Sequence, residues 1–367
     1  MSTTQFRIDQ SIERVINRQI PIVRSPRVKQ VEGIFDLSVE SVSRESWHVH
    51  LELPETWQIG LIVGPSGSGK TTIAHEVFGY SEEPYVWPED RSILDGFPPD
   101  MPIRAVVDLL SSVGFSSPPS WLRPYAVLSN GEKFRVDVAR SLSSSDSFVV
   151  IDEFTSVVDR TVAQVGSAAV SKSVRKGEKQ FVAVSCHYDI IDWLDPDWIY
   201  QPHLDQLERR SQRRRPPIKL DIVRVHTSAW DMFRKHHYLD TTLHKSARCF
   251  MALWDGRPVA FSAWLPSPGH KDSWREHRTV CLPDYQGVGI GNALSDYCAS
   301  VVKTVGRKAM SSTSHPAMIR SRAKSPNWHM HRPPSMTKPG GKLYNATGLQ
   351  AHAATTRLSA GFYYVGP

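Results

Sequence analysis

The chain contains no run of 18 apolar residues, so no segment reads as a membrane-spanning helix. Cysteine is sparse: Cys186, Cys249, Cys281 and Cys298 are scattered, with no CxxC pair. That spacing excludes a disulfide framework or a zinc ribbon and predicts reduced thiols. The opening residues, Met1 to Asp9, hold no apolar segment of the secretory kind, which predicts a cytoplasmic protein. Acidic residues are scarce in the second half. Residues 201–367 hold 10 Asp+Glu against 25 Lys+Arg, a net +15, whereas residues 1–200 hold 27 against 19, a net −8. A basic half joined to an acidic one predicts two domains with different partners, and nucleic acid for the basic one. With 367 residues, 40% hydrophobic and 22% charged, the chain is long enough for two or three ordinary globular domains.

The most informative segment is Gly64-Pro-Ser-Gly-Ser-Gly-Lys-Thr71. An apolar run, Ile59 to Val63, precedes it, and a helix-competent stretch, Thr72 to Phe78, follows. Strand, GxxxxGK[ST] and helix in that order make a phosphate-binding loop. Gly64, Pro65, Ser66, Gly67, Ser68, Gly69, Lys70, Thr71 and Thr72 are therefore expected to hold ATP. Backbone amides would cradle the phosphates, Lys70 would reach the β/γ-phosphates and Thr71 would bind Mg²⁺. Gln30–Val39 and Trp47–Leu53 alternate apolar and polar residues and predict strands.

Four further segments follow in order. Leu128-Ser-Asn-Gly-Glu132 resembles the LSGGQ signature of ABC-type ATPases and precedes a helical run, Lys133–Arg140. Phe148-Val-Val-Ile-Asp-Glu153 resembles Walker B, Thr155-Ser-Val-Val-Asp159 a D-loop, and Phe181–His187 a strand ending in a switch histidine. The resemblance covers roughly residues 30–200. It implies that Asp152 holds Mg²⁺ through water, that Glu153 acts as general base, and that His187 contacts the γ-phosphate. It also implies a head-to-tail homodimer in which Ser129 and Gly131 of one chain, with Asp159 nearby, close over ATP on the other. The family's Q-loop glutamine is missing, since no Gln lies between Thr71 and Gln164; Asp95 is the expected substitute at the metal. Phe35 is the expected adenine-stacking aromatic. Only 58 positions separate Lys70 from Leu128, a short arm for a transporter subunit.

The second half carries Gln286-Gly-Val-Gly-Ile-Gly291, after a strand, Arg278–Pro283, and before a helix, Asn292–Val302. Residues 250–264 upstream predict a hairpin turning at Asp255-Gly256. Together these resemble the acyl-CoA element of the GNAT acetyltransferase superfamily. The resemblance implies that amides of Gln286, Gly287, Val288, Gly289, Ile290 and Gly291 hold the diphosphate of acetyl-CoA. It likewise implies that backbone groups at Val280 and Leu282 pair with the pantetheine arm. Glu276, His277 and His237 are the candidate acid–base residues, with His236 and Tyr238 beside them. Arg320, Arg322 and Lys324 with Trp328 suggest phosphate contacts and base stacking.

The whole resembles a family of ABC-type ATPases fused to an acetyltransferase domain, found in prokaryotes and their viruses. The expected fold is α/β, a P-loop ATPase domain over 1–205 and a GNAT-like α+β domain over 218–367. A basic linker over 206–217 joins them, and a loop-rich stretch covers 326–355. The expected function is ATP hydrolysis coupled to transfer of an acyl group to nucleic acid or an associated amine. Two alternatives stand beside it: a nucleic-acid base-modifying enzyme using another donor, and an ATP-switched nucleic-acid clamp without catalysis.

Overall fold

The computed structural model describes residues 10–36, 41–80, 85–210, 216–237, 241–267, 272–336 and 358–367. In chain order, β1 (Ser11–Pro21), α1 (Pro26–Phe35), β2 (Val42–Glu52), β3 (Ile59–Val63) and α2 (Lys70–Phe78) come first. Next are α3 (Ile103–Ser112), α4 (Pro118–Trp121), α5 (Asn130–Leu142), β4 (Phe148–Ile151), α6 (Arg160–Val174) and β5 (Gln180–Ser185). Then follow α7 (Ile191–Leu194), β6 (Trp198–Gln201), β7 (Gln206–Arg209), β8 (Asp221–Val225), β9 (Arg248–Trp254) and β10 (Arg257–Pro266). The last are β11 (Ser273–Cys281), α8 (Ile290–Thr304), β12 (Lys308–Thr313), α9 (Pro316–Lys324), β13 (Trp328–Ser335) and β14 (Ser359–Tyr364). No helix among the described residues is long and apolar enough to cross a membrane.

Contacts divide the chain into two units, and the division does not follow the linear order. The first holds residues 1–85, 145–157 and 174–214; the second holds 86–144, 158–173 and 215–367. The segment carrying Leu128–Glu132 therefore clusters with the C-terminal domain.

In the first unit a five-stranded sheet runs β4-β5-β3-β6-β7. β4, β5, β3 and β6 are parallel, and β7 closes the edge antiparallel to β6. β7 occupies residues expected to be linker. The wholly apolar β3 is buried at every position, as a central parallel strand must be. Its start is pinned by Asp197, which accepts from Gln58 N (2.8 Å) and Ile59 N (3.0 Å) and pairs with Arg175. Trp198 stacks on Phe78 and meets Trp57 edge-on. β1 and β2 form a separate antiparallel ribbon. Between them, the strand expected over 30–39 is instead α1. Ser25 caps it, Pro26 occupies its first turn and Asp36 closes it in the left-handed region. Capping chemistry outweighs the local alternation there.

In the second unit a seven-stranded sheet runs β13-β14-β12-β11-β10-β9-β8. The expected hairpin is β9–β10, turning at Asp255 (φ 49°) and Gly256 (φ 75°). Every pair is antiparallel except β11 with β12. That parallel pair is registered only from Ser273↔Lys308 to Arg275↔Met310, after which the strands part. α8 links them and buries Ile290, Leu294, Cys298 and Val302 along one face. β13 falls inside the stretch expected to be loop, and residues 337–357 of that stretch lie outside the described residues.

Gly60 on β3 has no room for a side chain, since a Cβ there would lie 2.0 Å from the Trp198 ring. Gly60→Ala should lower the unfolding free energy by about 1–3 kcal/mol or more, read as a shifted urea midpoint.

Candidate functional site: two phosphate-binding turns and a parted strand pair

Parallel strands present all their C-terminal ends on one edge of a sheet, and loops there converge. In the first unit this edge collects the expected nucleotide residues. β3 leads into the Gly64–Thr71 loop, β4 into Asp152 and Glu153, and β5 into His187. Gly67 (φ 79°) and Gly69 (φ 83°) take left-handed conformations that let the loop curl. α2 then begins at Lys70 with no side-chain cap and no acidic residue in its first turn. Its leading amides, from Lys70, Thr71 and Thr72, are left for an anion. Pro65 and Ser66 are exposed at the loop tip, and Lys70 Nζ donates to Pro65 O at 2.8 Å. Gly64 is tight: a Cβ there would sit 2.9 Å from Ser68 Oγ. That Ser68 hydroxyl is buried with no partner, an orphan polar group a phosphate oxygen would satisfy. These residues fit a nucleoside triphosphate.

Past β4, Glu153 (φ 50°) and Thr155 (φ 71°) are both left-handed without being glycine. Such strain costs about 1–3 kcal/mol per residue and clusters where a turn is used for function. Asp152 Oδ1 accepts from Glu153 N at 2.7 Å, which turns the Glu153 side chain outward to an exposed position. His187 N donates to Ser185 Oγ at 3.1 Å. Among the described residues no cluster of three His, Cys, Asp or Glu could hold a metal alone. A Mg²⁺ here would be held by Thr71 and Asp152 with the phosphates. Asp95 is exposed and falls in the second unit, as do Ser129, Gly131 and Asp159. Ser129 caps α5 in a reciprocal box with Glu132, and Asp159 Oδ1 accepts from Thr161 N and Val162 N at the start of α6.

Phe35 ends α1 at 66% exposed, because its segment is a helix rather than a strand. The aromatic on the loop is Trp47 of β2, whose Nε1 lies 2.3 Å from where a Gly69 Cβ would be. Trp47 lies within the strand expected over Trp47–Leu53, and the signal was an aromatic on the strand before β3.

The second unit repeats the same construction. Gly287 (φ 93°) and Gly289 (φ 98°) are left-handed, and α8 starts after Gly289 with no side-chain cap and no acid in its first turn. Val288 and Ile290 are buried and anchor the turn, while a Cβ at Gly289 would meet open space. The Gly291 backbone approaches Cys281, whose buried thiol is pushed up to about 12. Gln286 donates through Nε2 to Cys281 O at 3.0 Å. The turn fits a diphosphate.

The pantetheine expectation shifts by one register position. Leu282 N donates to Val259 O at 2.9 Å, so Leu282 is spent on β10. Val280, two residues earlier and opposite Phe261, shares that orientation by the alternation of an antiparallel ladder. By the same alternation the groups on the β12 side belong to Thr279 and Cys281, where the Cys281 carbonyl already accepts from Gln286 Nε2.

Glu276 is not placed as a free base. Its side chain is 7% exposed and pairs with Arg322 at 2.8 Å. It also accepts from the hydroxyls of Thr279 (2.5 Å), Ser311 (2.6 Å) and Ser295 (2.8 Å). Burial pushes its carboxyl up, but Arg322 and those hydroxyls prevail and hold it below the usual carboxylate range. Arg322 is equally occupied, 2% exposed and stacked on Trp328, whose Nε1 donates to Asp296. Arg322 and Trp328 are therefore internal and do not meet a nucleic acid. Arg320 pairs with Asp108.

His277 is the extra residue of a β-bulge, since Ala263 pairs with Arg278 and Trp264 with Glu276. Bulges re-aim a side chain and are common beside active sites. Burial lowers its imidazole to about 3, helped by Arg278, Arg275, His244 and His237. The structure thus brings His277 and His237 into one electrostatic neighbourhood, where His237 packs against Trp230. His236 is lowered by burial and by Lys235; Tyr238 lies outside the described residues.

Glu276→Gln would strand the Arg322 charge and should cost about 3–5 kcal/mol of stability, measured by denaturant unfolding. His277 acts differently. Between its ordinary 6.5 and about 3 the unfolded chain binds the proton and the folded chain does not. Its contribution is therefore full above the ordinary value and lost as pH falls toward about 3. His277→Gln should flatten part of that acid loss in urea midpoints measured across the interval.

The family model of the GNAT acetyltransferases matches residues 190–322. No curated protein matches the sequence. Among solved structures, the dimeric form of a bacterial ABC transporter cassette is similar at 15% identity and TM-score 0.36, covering 46% of this chain and 92% of its own. A putative acetyltransferase of the GNAT family from Desulfovibrio desulfuricans is similar at 12% identity and TM-score 0.30, covering 40% of this chain and 98% of its own. The ribosomal-protein-S18-alanine N-acetyltransferase from Escherichia coli is similar at 12% identity and TM-score 0.30, covering 41% and 96%. The GNAT acetyltransferase family model thus matches residues 190–322, in a chain whose first half carries, in order, motifs that resemble those of ABC-type ATPases.

Proposed function

We propose that the chain transfers an acetyl group from acetyl-CoA to a neutral nitrogen on a polyanion, nucleic acid foremost, and that its P-loop half binds and hydrolyses MgATP as a head-to-tail dimer. The observation that carries the acceptor class is the setting of His277. The groups acting on this imidazole are Arg278, Arg275, His244 and His237, all cationic or able to become so. The neighbouring carboxylate, Glu276, is buried and neutralised by Arg322. An ammonium such as a lysine side chain would meet repulsion here and no strong base to deprotonate it. A nucleobase amine needs no such help, because it is already neutral, and its phosphates are attracted by the same cations.

In this reading the gap between β11 and β12 admits the thioester, with backbone groups of Thr279 and Cys281 along its edge. The acceptor nitrogen bonds to the acyl carbon, the carbon–sulfur bond breaks, and the thiolate takes up a proton. The nitrogen's surplus proton leaves through His277 or water. In the other half, Lys70, Thr71 and Asp152 hold MgATP, and Glu153 orients the attacking water, with Ser129 and Gly131 contributed across the dimer.

Acetyl-CoA binding should be micromolar by calorimetry and lost in Gly289→Trp. Radiolabelled acetyl-CoA should then label single-stranded DNA or RNA in preference to a lysine peptide, and His277→Gln should slow labelling by about tenfold or more. Labelling of the peptide alone sinks the acceptor reading. Tight, salt-dependent nucleic-acid binding with no covalent product favours a clamp instead. Phosphate release from ATP should fall by orders of magnitude in Glu153→Gln; an unchanged rate sinks the ATPase assignment of that residue.

A further inference from the structure

The acyl-CoA turn is held from outside the strands that bracket it. Gly114, which follows α3 in the P-loop half of the sequence, packs backbone to backbone against it. A Cβ on Gly287 would lie 2.8 Å from Gly114 Cα, and a Cβ on Gly114 would lie 2.9 Å from Gln286 O. Both glycines are left-handed, at φ 90° and 93°, so neither the space nor the conformation admits a side chain. Two residues on, Ser116 is gripped through both backbone groups. Its N–H donates to Gln286 Oε1 at 2.9 Å, and its carbonyl accepts from His315 Nε2 at 3.2 Å. Burial lowers the His315 imidazole, while the hydrogen bond to the Ser116 carbonyl acts the other way.

The third contact comes from the helix behind Leu128–Glu132. Arg135 on α5 is 1% exposed and donates through Nη2 to Asp284 O at 3.1 Å and through Nη1 to Gly131 O at 3.5 Å. Its Nε is buried without a partner. A buried guanidinium with one donor unsatisfied is costly, and burial indeed lowers its affinity for the proton. It therefore needs a reason to be there. Its two bonds tie the carbonyl of Gly131 to the carbonyl of Asp284, two residues before Gln286.

We propose that Arg135 and Gly114 are positioning residues of the acyl-CoA site, so that the Leu128–Glu132 segment and the diphosphate-binding turn move as one body and nucleotide occupancy changes acyl-CoA affinity. Neither residue touches the reacting atoms; each acts by fixing where the Gln286–Gly289 amides point. The inference rests on the reading of that turn as an acyl-CoA site and of Gly131 as part of the nucleotide site. By linkage, any effect of ATP on acetyl-CoA affinity must be matched by an equal effect of acetyl-CoA on ATP affinity.

The test uses full-length protein with acetyl-CoA, ATP and Mg²⁺. Calorimetry on wild type should show acetyl-CoA affinity changing about fivefold or more between nucleotide-free and ATP-bound protein, with the same factor in the reciprocal titration. Arg135→Lys keeps the charge but loses the fork, and should raise the acetyl-CoA KM with little change in kcat while abolishing the nucleotide dependence. Gly114→Ala should do the same by pressing on Gln286 O, and it stands in if Arg135→Lys fails to fold. Melting temperature distinguishes a local effect from general loosening. Wild-type acetyl-CoA affinity that is identical with and without ATP overturns the coupling, as does a folded variant that keeps wild-type KM and coupling. Absence of any acetyl-CoA binding in wild type overturns the donor assignment itself, a different failure.

Discussion

A single buried carboxylate organises the place where acyl transfer would occur. Glu276 sits on β11 where that strand leaves β12, and its oxygens are shared among Arg322 of α9, Ser311 of β12, Ser295 of α8 and Thr279 of β11. Two strands that part expose backbone groups on both edges, which is costly unless something else fixes the opening. Here the ion pair does so, and Ser295 of α8 bonds both of its members. A saturated charge of this kind adds little net stability over an apolar core but strongly disfavours any rearrangement that breaks it. The gap is therefore kept open by the fold, before any ligand arrives.

The two phosphate-binding turns obey one physical design. Each has two left-handed glycines separated by one residue, Gly67 and Gly69 in one, Gly287 and Gly289 in the other. Each leads into a helix with no side-chain cap and no acid in the first turn. Ser25 and Ser129 cap α1 and α5 with a hydroxyl, whereas α3 and α9 also start without a side-chain cap or an acid; what sets the two turns apart is the pair of left-handed glycines ahead of the helix. An anion bound there would supply acceptors for the uncapped amides.

Charge then separates two sides of the second unit. The residues around His277 are basic, whereas the side facing the Leu128–Glu132 segment gathers Glu132, Asp159 and Asp284 around the buried Arg135. One side is basic. The other is a closed packing surface, where glycine meets glycine and a guanidinium bridges two carbonyls. The basic excess of the C-terminal half thus has a definite location in part, while Arg322 shows that some of it is internal.

The sequence by itself determined both glycine turns, the strands that deliver them, the paired Asp152 and Glu153, and the hairpin at Asp255-Gly256. These are local: a turn that needs positive φ, or an apolar run that must be buried, is written into a few consecutive residues. The sequence misled where local pattern met a competing cap, as at α1, where Ser25 and Pro26 start a helix over residues that alternate like a strand. Only the tertiary structure decided the rest. It turned Glu276 and Arg322 on each other, 46 positions apart, spent the Leu282 amide on β10, and put Trp47 against the Gly64–Thr71 loop. It also joined residues 86–144 to the C-terminal domain. Such outcomes depend on strand register and on which side chains meet across long separations, and no window of the sequence contains both partners.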